Sequence, residues 1–187
     1  LCAGKKDIVI ISSDHTRPVP SRVTMPILLH HIHSAAPEAR VRILVATGMH
    51  RPSTHEELVN KYGEEIVANE EIVMHVATDD SMMKKIGTLP SGGECIINKI
   101  AADCDLLLAE GFIEPHFFAG FSGSRKSVLP GIASYKTIMY NHNGQFVNDS
   151  HSRAGNLCHN HVSEDMFAAA EMAHLAFVLN VVLNGKH

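Results

Sequence analysis

The chemistry-bearing residues of this chain gather in a few polar, glycine-containing segments. There are 14 histidines among 187 residues, and imidazole is both a metal ligand and a proton carrier near neutral pH. His50 stands in Thr47-Gly48-Met49-His50-Arg51-Pro52, and His116 follows Glu114-Pro115. Two such imidazoles facing one cleft could serve as general bases; a lone loop histidine is simply a satisfied polar residue. Asp14-His15-Thr16-Arg17 offers an acceptor, a hydroxyl and a planar guanidinium suited to a carboxylate or phosphate. The same residues could also form a local Asp14–Arg17 salt bridge. The segment from Glu114 to Ser127 is the densest. Gly120 and Gly123 would let amides approach an anion while Arg125 and Lys126 supply charge, which reads as a phosphate cradle or as a glycine-rich surface loop. His142, after Asn141 at a helix end, reads on its own as a cation facing the helix dipole.

These segments must be held by regular elements. Residues 7–12 are a short apolar run, a buried strand, with the Asp14 loop at its end. Ser21 reads as the N-cap of a helix to about residue 33. Residues 40–46 are a second strand ending at the His50 loop. Residues 53–56 have the form of a capping box, opening a helix that stops near Gly63. Further strands are expected at residues 72–77, 94–98, 105–109 and 175–183, with a loop over 82–91 and a long loop over 110–131. Helices are expected over 132–140 and from Asn160 or Ser163 to His174. Strand, loop and helix alternate, so the fold class is α/β: a mainly parallel sheet with helices on both faces. Ligands of such sheets bind beyond the C-terminal strand ends, which selects the three polar loops before any family is considered. Asn184-Gly185 after the last strand is a hairpin signal without a partner strand, so the chain is expected to belong to a longer protein.

Composition removes several alternatives. The net charge of −4 gives no electrostatic case for nucleic acid. No apolar run reaches the roughly 18–20 residues of a membrane span. Cys2, Cys95, Cys104 and Cys158 form no C-x-x-C pair and are read as reduced thiols of a cytoplasmic protein. His151, His159 and His161 follow no metal-binding spacing, and no H-E-x-x-H appears.

Taken together, four segments resemble the nickel-pincer lactate racemase family, whose members racemise or epimerise 2-hydroxy acids. They are S-D-H-T-R-P-V-P from Ser13, T-G-M-H-R-P from Thr47, E-P-H-F-F-A-G-F-S-G-S-R-K-S-V-L-P-G from Glu114, and N-H at Asn141. The resemblance implies a nickel-pincer nucleotide, a nicotinate-derived mononucleotide whose sulfur arms grip nickel. Lys126 would bond to one arm, His142 would supply the remaining nickel ligand, and Asp14, His15, Thr16 and Arg17 would contact the cofactor. Imidazole with soft sulfur suits Ni(II). In that family a hydride shuttle passes through a 2-keto acid, and His50 and His116 match its two bases. Ser124 departs from the pattern, standing where many relatives have Gly, and is expected to avoid left-handed backbone angles. The resemblance further implies a two-domain enzyme, with residues 1–187 forming most of the N-terminal cofactor-binding catalytic domain and a C-terminal domain absent. The expected partners are a small 2-hydroxy acid, that missing domain and the proteins that build the cofactor. The chain alone is expected to be inactive, and empty of cofactor when expressed without them. The competing readings are a zinc-dependent hydrolase, which needs three protein ligands, and a non-catalytic anion- or nucleotide-binding domain.

Overall fold

The computed structural model describes residues 1–184. Strand β1 (Asp7–Ser13), helix α1 (Ser21–Ala35), β2 (Arg40–Ala46), α2 (His55–Tyr62), α3 (Glu64–Asn69) and β3 (Glu71–Met74) form the first half. Then come β4 (Met83–Thr88), β5 (Glu94–Asn98), α4 (Lys99–Asp103), β6 (Leu106–Phe112) and the two-residue strands β7 (Pro115–His116) and β8 (Gly120–Phe121). Helices α5 (Tyr135–Asn141), α6 (Gly144–Val147) and α7 (His161–Met172) precede β9 (Leu175–Val181). Five strands make one parallel sheet in the order β3-β2-β1-β6-β9.

Alternation along the central strands explains why helices cover both faces. Ile8, Ile10, Ile43, Val45, Leu106 and Leu108 point to one side, where they pack on Met25, Leu29 and Ile32 of α1 and on Tyr62 and Ile66. Val9, Ile11, Leu44, Leu107 and Ala109 point to the other, against Ile138 of α5 and Val162, Met166 and Ala169 of α7. A strand buried on both faces must be apolar throughout, and each fully buried aliphatic side chain contributes about 1.5–3 kcal/mol. The mainly parallel α/β expectation therefore holds.

Local differences have local causes. Ser21 is the first residue of α1 and not its cap; the cap position is Pro20, with no side-chain hydrogen bond, and the Ser21 hydroxyl instead donates to Glu110. The capping box sits one residue later than expected, with Thr54 and Glu57 exchanging bonds. Residues 83–88, expected as loop, form β4, an antiparallel partner of β5. The polar pattern M-K-K-I-G-T hid that strand, because only one of its faces is covered. The turn expected over 183–186 runs outside the described residues. Among the described residues no helix is long and apolar enough to cross a membrane, and the four cysteines are free.

Candidate functional site

The C-terminal ends of β1, β2 and β6 open onto a cavity of about 290 Å³. Asp14, Arg17, His50, His116, Lys126 and His142 all line it, so six of the expected site residues meet in one place. The reason is topological: β1 lies between β2 and β6 in the sheet, so the loops leaving these strands are neighbours.

Asp14 is 1% exposed. Its Oδ1 accepts the Thr16 backbone N–H at 3.0 Å and the Thr16 hydroxyl at 2.6 Å. Its Oδ2 lies 2.6 Å from His50 Nδ1. Burial pushes the carboxyl up, but the Thr16 and His50 hydrogen bonds outweigh it and hold the group below its ordinary range. Asp14 pairs with His50 rather than Arg17, so the local salt bridge considered from sequence does not form. Arg17 has no carboxylate within ion-pair distance among the described residues and faces the cavity. Thr16 does not line the cavity and donates its hydroxyl to Asp14. His15 turns away, with Nδ1 3.0 Å from Ser53 Oγ and Nε2 3.6 Å from Glu57. It lines a second hollow, of about 460 Å³, together with Arg17, Arg22 and Lys61.

The Lys126 loop is fastened to the His50 loop. Gly48 N–H donates to Gly131 O at 3.0 Å, and Gly131 N–H donates to Lys126 O at 3.1 Å. A Cβ on Gly131 would stand 2.2 Å from Ser127 O, so only glycine allows this approach. Burial, then the charges of Arg125 and Arg17, push the Lys126 amine down to about 7. Half of it is therefore neutral, and nucleophilic, near neutral pH.

His142 caps α5, its N–H reaching Ile138 O at 2.9 Å. Burial, with the Lys126 charge beside it, holds the imidazole down to about 4. A neutral ring cannot serve as the dipole-facing cation that its position suggested. Its Nδ1 is buried with no partner, and an orphaned buried acceptor costs about 1–3 kcal/mol. His116, on β7, is likewise held down to about 4 by burial and by Lys126, Arg17, His142 and Arg125.

The phosphate-cradle reading of residues 114–127 is corrected in two respects. Arg125 is 4% exposed and turned inward, donating to Ala119 O at 2.8 Å and Ser163 Oγ at 3.1 Å, so it offers no hydrogen bond to a cavity ligand. Gly120 approaches the backbone, where a Cβ would meet Asn156 O at 2.4 Å. Ser124 does adopt a left-handed angle, φ 46°. Asn180 compensates, accepting the Ser124 N–H at 3.3 Å and donating to its Oγ at 2.8 Å.

Sequence reasoning missed Glu110, which is 1% exposed and lines the cavity. Ser12 and Ser21 hydroxyls donate to its Oε1 at 2.6 and 2.5 Å, and Thr24 donates to Oε2 at 2.5 Å. Its signal was a charge directly following the apolar run Leu106–Ala109, because charged residues are seldom fully buried without a purpose.

A family model for the lactate racemase N-terminal domain matches residues 1–155. The chain belongs to the lactate racemase family. It is 72% identical over 184 residues to a lactate racemase of Lactiplantibacillus plantarum, covering 98% of this chain and 43% of that one. It is 55% identical over 187 residues to a lactate racemase of Thermoanaerobacterium thermosaccharolyticum, covering 100% of this chain and 44% of the relative. The solved lactate racemase apoprotein from that organism superimposes with a TM-score of 0.98 over 100% of this chain and 45% of its own. A Thermotoga maritima protein at 22% identity and TM-score 0.82 shares the fold. The chain thus spans less than half the length of these family members.

Proposed function

We propose that this chain is most of the N-terminal, cofactor-holding domain of a racemase or epimerase of a small, lactate-like 2-hydroxy acid. The observation that carries the reading is the meeting of His50, His116, Lys126 and His142 around one cavity. The family of the chain and the names of its relatives agree with it.

The residues present fit a lysine-tethered nickel-pincer nucleotide. The unpartnered, neutral His142 imidazole is a ready metal ligand, and the half-neutral Lys126 amine can bond to the cofactor's arm. Among the described residues no three His, Cys, Asp or Glu side chains converge on a common point. A single imidazole needs co-ligands from elsewhere, which suits a metal carried by a nucleotide better than a zinc site of three protein ligands. When bound, that group supplies a centre able to accept the C2 hydride of the substrate and to return it.

The chain's own residues do the rest. Arg17 holds the substrate carboxylate with its planar fork. His50, oriented by Asp14, takes the hydroxyl proton on one side, and the resulting imidazolium is stabilised by the buried carboxylate. His116 meets the hydroxyl of the opposite enantiomer. Val19, Phe112, Pro130 and Ile138 supply apolar wall that excludes water.

The test is the intact mass, under denaturing conditions, of the full-length protein co-expressed with the enzymes that build the pincer. A cofactor-sized increase is expected for the wild type and none for Lys126→Ala. An unmodified wild type despite a proven cofactor supply would move the non-catalytic anion-binding reading ahead.

A further inference from the structure

His50 and His116 both line the cavity, yet their Nδ1 atoms meet opposite kinds of partner. His50 Nδ1 lies 2.6 Å from Asp14 Oδ2, and an ionised carboxylate can only accept, so this nitrogen carries the proton. Thr16 Oγ1, 3.4 Å from the same nitrogen, does not compete for that role. Its own proton goes to Asp14 Oδ1 at 2.6 Å, which leaves a hydroxyl lone pair toward the ring. Nε2 of neutral His50 therefore keeps its lone pair. At His116 the arrangement is reversed. The Ala119 backbone N–H donates to Nδ1 at 3.3 Å. A backbone amide can only donate, so this nitrogen has no proton and the neutral ring carries it on Nε2. Phe117 stacks on the His116 ring at 4.7 Å and 16°, and Phe118 meets it edge-on at 4.6 Å and 85°, which fixes the ring's orientation.

We propose that the two histidines rest in opposite tautomers, His50 as a base through Nε2 and His116 as a hydrogen-bond donor through Nε2–H, with Asp14 and the Ala119 amide as the groups that set them. Its meaning for a substrate rests on the racemase reading above; the tautomers themselves do not. A 2-hydroxy acid whose hydroxyl faces His50 finds its base ready. The O–H bond breaks, an N–H bond forms on His50 Nε2, and the imidazolium is neutralised by Asp14. His116 meanwhile donates to a substrate oxygen. Completing the product hydroxyl on that side takes this Nε2 proton while Nδ1 takes one up, and His50 returns its proton to water. The opposite enantiomer asks more of the site. His116 can accept at Nε2 only after its proton has moved to Nδ1, and that requires the Ala119 N–H to be released. Two enantiomers have equal free energy in water, so kcat/KM must be equal in both directions. The asymmetry then appears as kcat and KM values that differ between the directions by the same factor.

The test needs neither cofactor nor substrate. In the full 187-residue chain, uniformly labelled with 15N and 13C, long-range 1H–15N correlations at pH 8 report which ring nitrogen of each histidine carries its proton. Through-bond correlation to Cβ assigns the rings, so no variant has to fold. The expected pattern is a proton on Nδ1 for His50 and on Nε2 for His116. The same tautomer at both positions, or the reverse pattern, overturns the proposal. The mass experiment can fail with this pattern intact, and the pattern can fail with the cofactor bound, so the two outcomes are separable.

Discussion

At the scale of single residues, the site works by keeping charge out of places where charge would be useless. Lys126 and His142 share a wall; burial lowers the proton affinity of both, the Lys126 charge lowers that of His142 further, and Arg125 and Arg17 lower that of Lys126. The result is a neutral imidazole beside an amine that is half neutral near pH 7. An ordinary lysine at that pH has roughly one neutral amine in 2,500. Acylation of Lys126 by an amine-directed reagent, followed by peptide mass mapping, should therefore reach half its maximal rate near pH 7, where ordinary lysines need about pH 10.4. Arg17→Gln removes one of the cations that repel a proton from this amine, so it should move that midpoint upward. A midpoint unmoved by Arg17→Gln would mean that burial and Arg125 govern the amine without Arg17. Lys126, His50 and His116 were legible in the sequence because their neighbours were unusual. The inward turn of Arg125 was not, since nothing in G-S-R-K says which of two adjacent cations finds Ala119 O and Ser163.

At the scale of elements, what matters is how the strand ends are fixed in relation to one another. Glu110 ties the end of β6 to Ser12 of β1 and to Ser21 and Thr24 of α1 through three hydroxyl donors. Tyr62 of α2 extends the network by donating to Ser12 Oγ at 2.8 Å. These bonds set the position of the loop from β1 to α1, which carries Asp14 and Arg17. Glu110→Gln keeps the shape but replaces one acceptor oxygen with an amide that must face a hydroxyl donor. A loss of about 1–3 kcal/mol in urea unfolding is expected, the range for stranding a buried polar group. A loss close to zero would show that the hydroxyls can turn to suit the amide. The apolar strands of the sheet could be read directly from composition, as could the α5 and α7 regions. Helix α3 could not, because Gly63 ends α2 and also stands at the N-cap position of α3. The left-handed Ser124 conformation is hidden for a similar reason: its support, Asn180, lies 56 residues away in the sequence.

At the scale of the molecule, this concentration of buried ionisable groups has a cost that depends on pH. His75 is fully buried, held by the Ala133 carbonyl and Asn98, and burial keeps it down to about 4, as it does His116 and His142. An unfolded histidine titrates near 6.5. Between these values the unfolded chain binds protons that the folded chain refuses, so stability falls as pH falls from 6.5 toward 4, and the loss is complete below the folded value. Each ring removes up to about 1.4 kcal/mol per pH unit inside that window. Glu57 and Glu94, held to about 2 chiefly by hydrogen bonds to Arg51 and Lys136, act lower, because their unfolded forms titrate near 4.5. The interval from pH 6.5 to 4.5 therefore belongs to the buried histidines. Urea midpoints across it should drop steeply for the wild type and less steeply for the double variant His116→Gln/His142→Gln, which keeps ring-sized polar groups without the titration. Equal slopes would place the acid sensitivity elsewhere. A shallower slope would show that the two cavity histidines are held neutral at the expense of the fold's tolerance to acid.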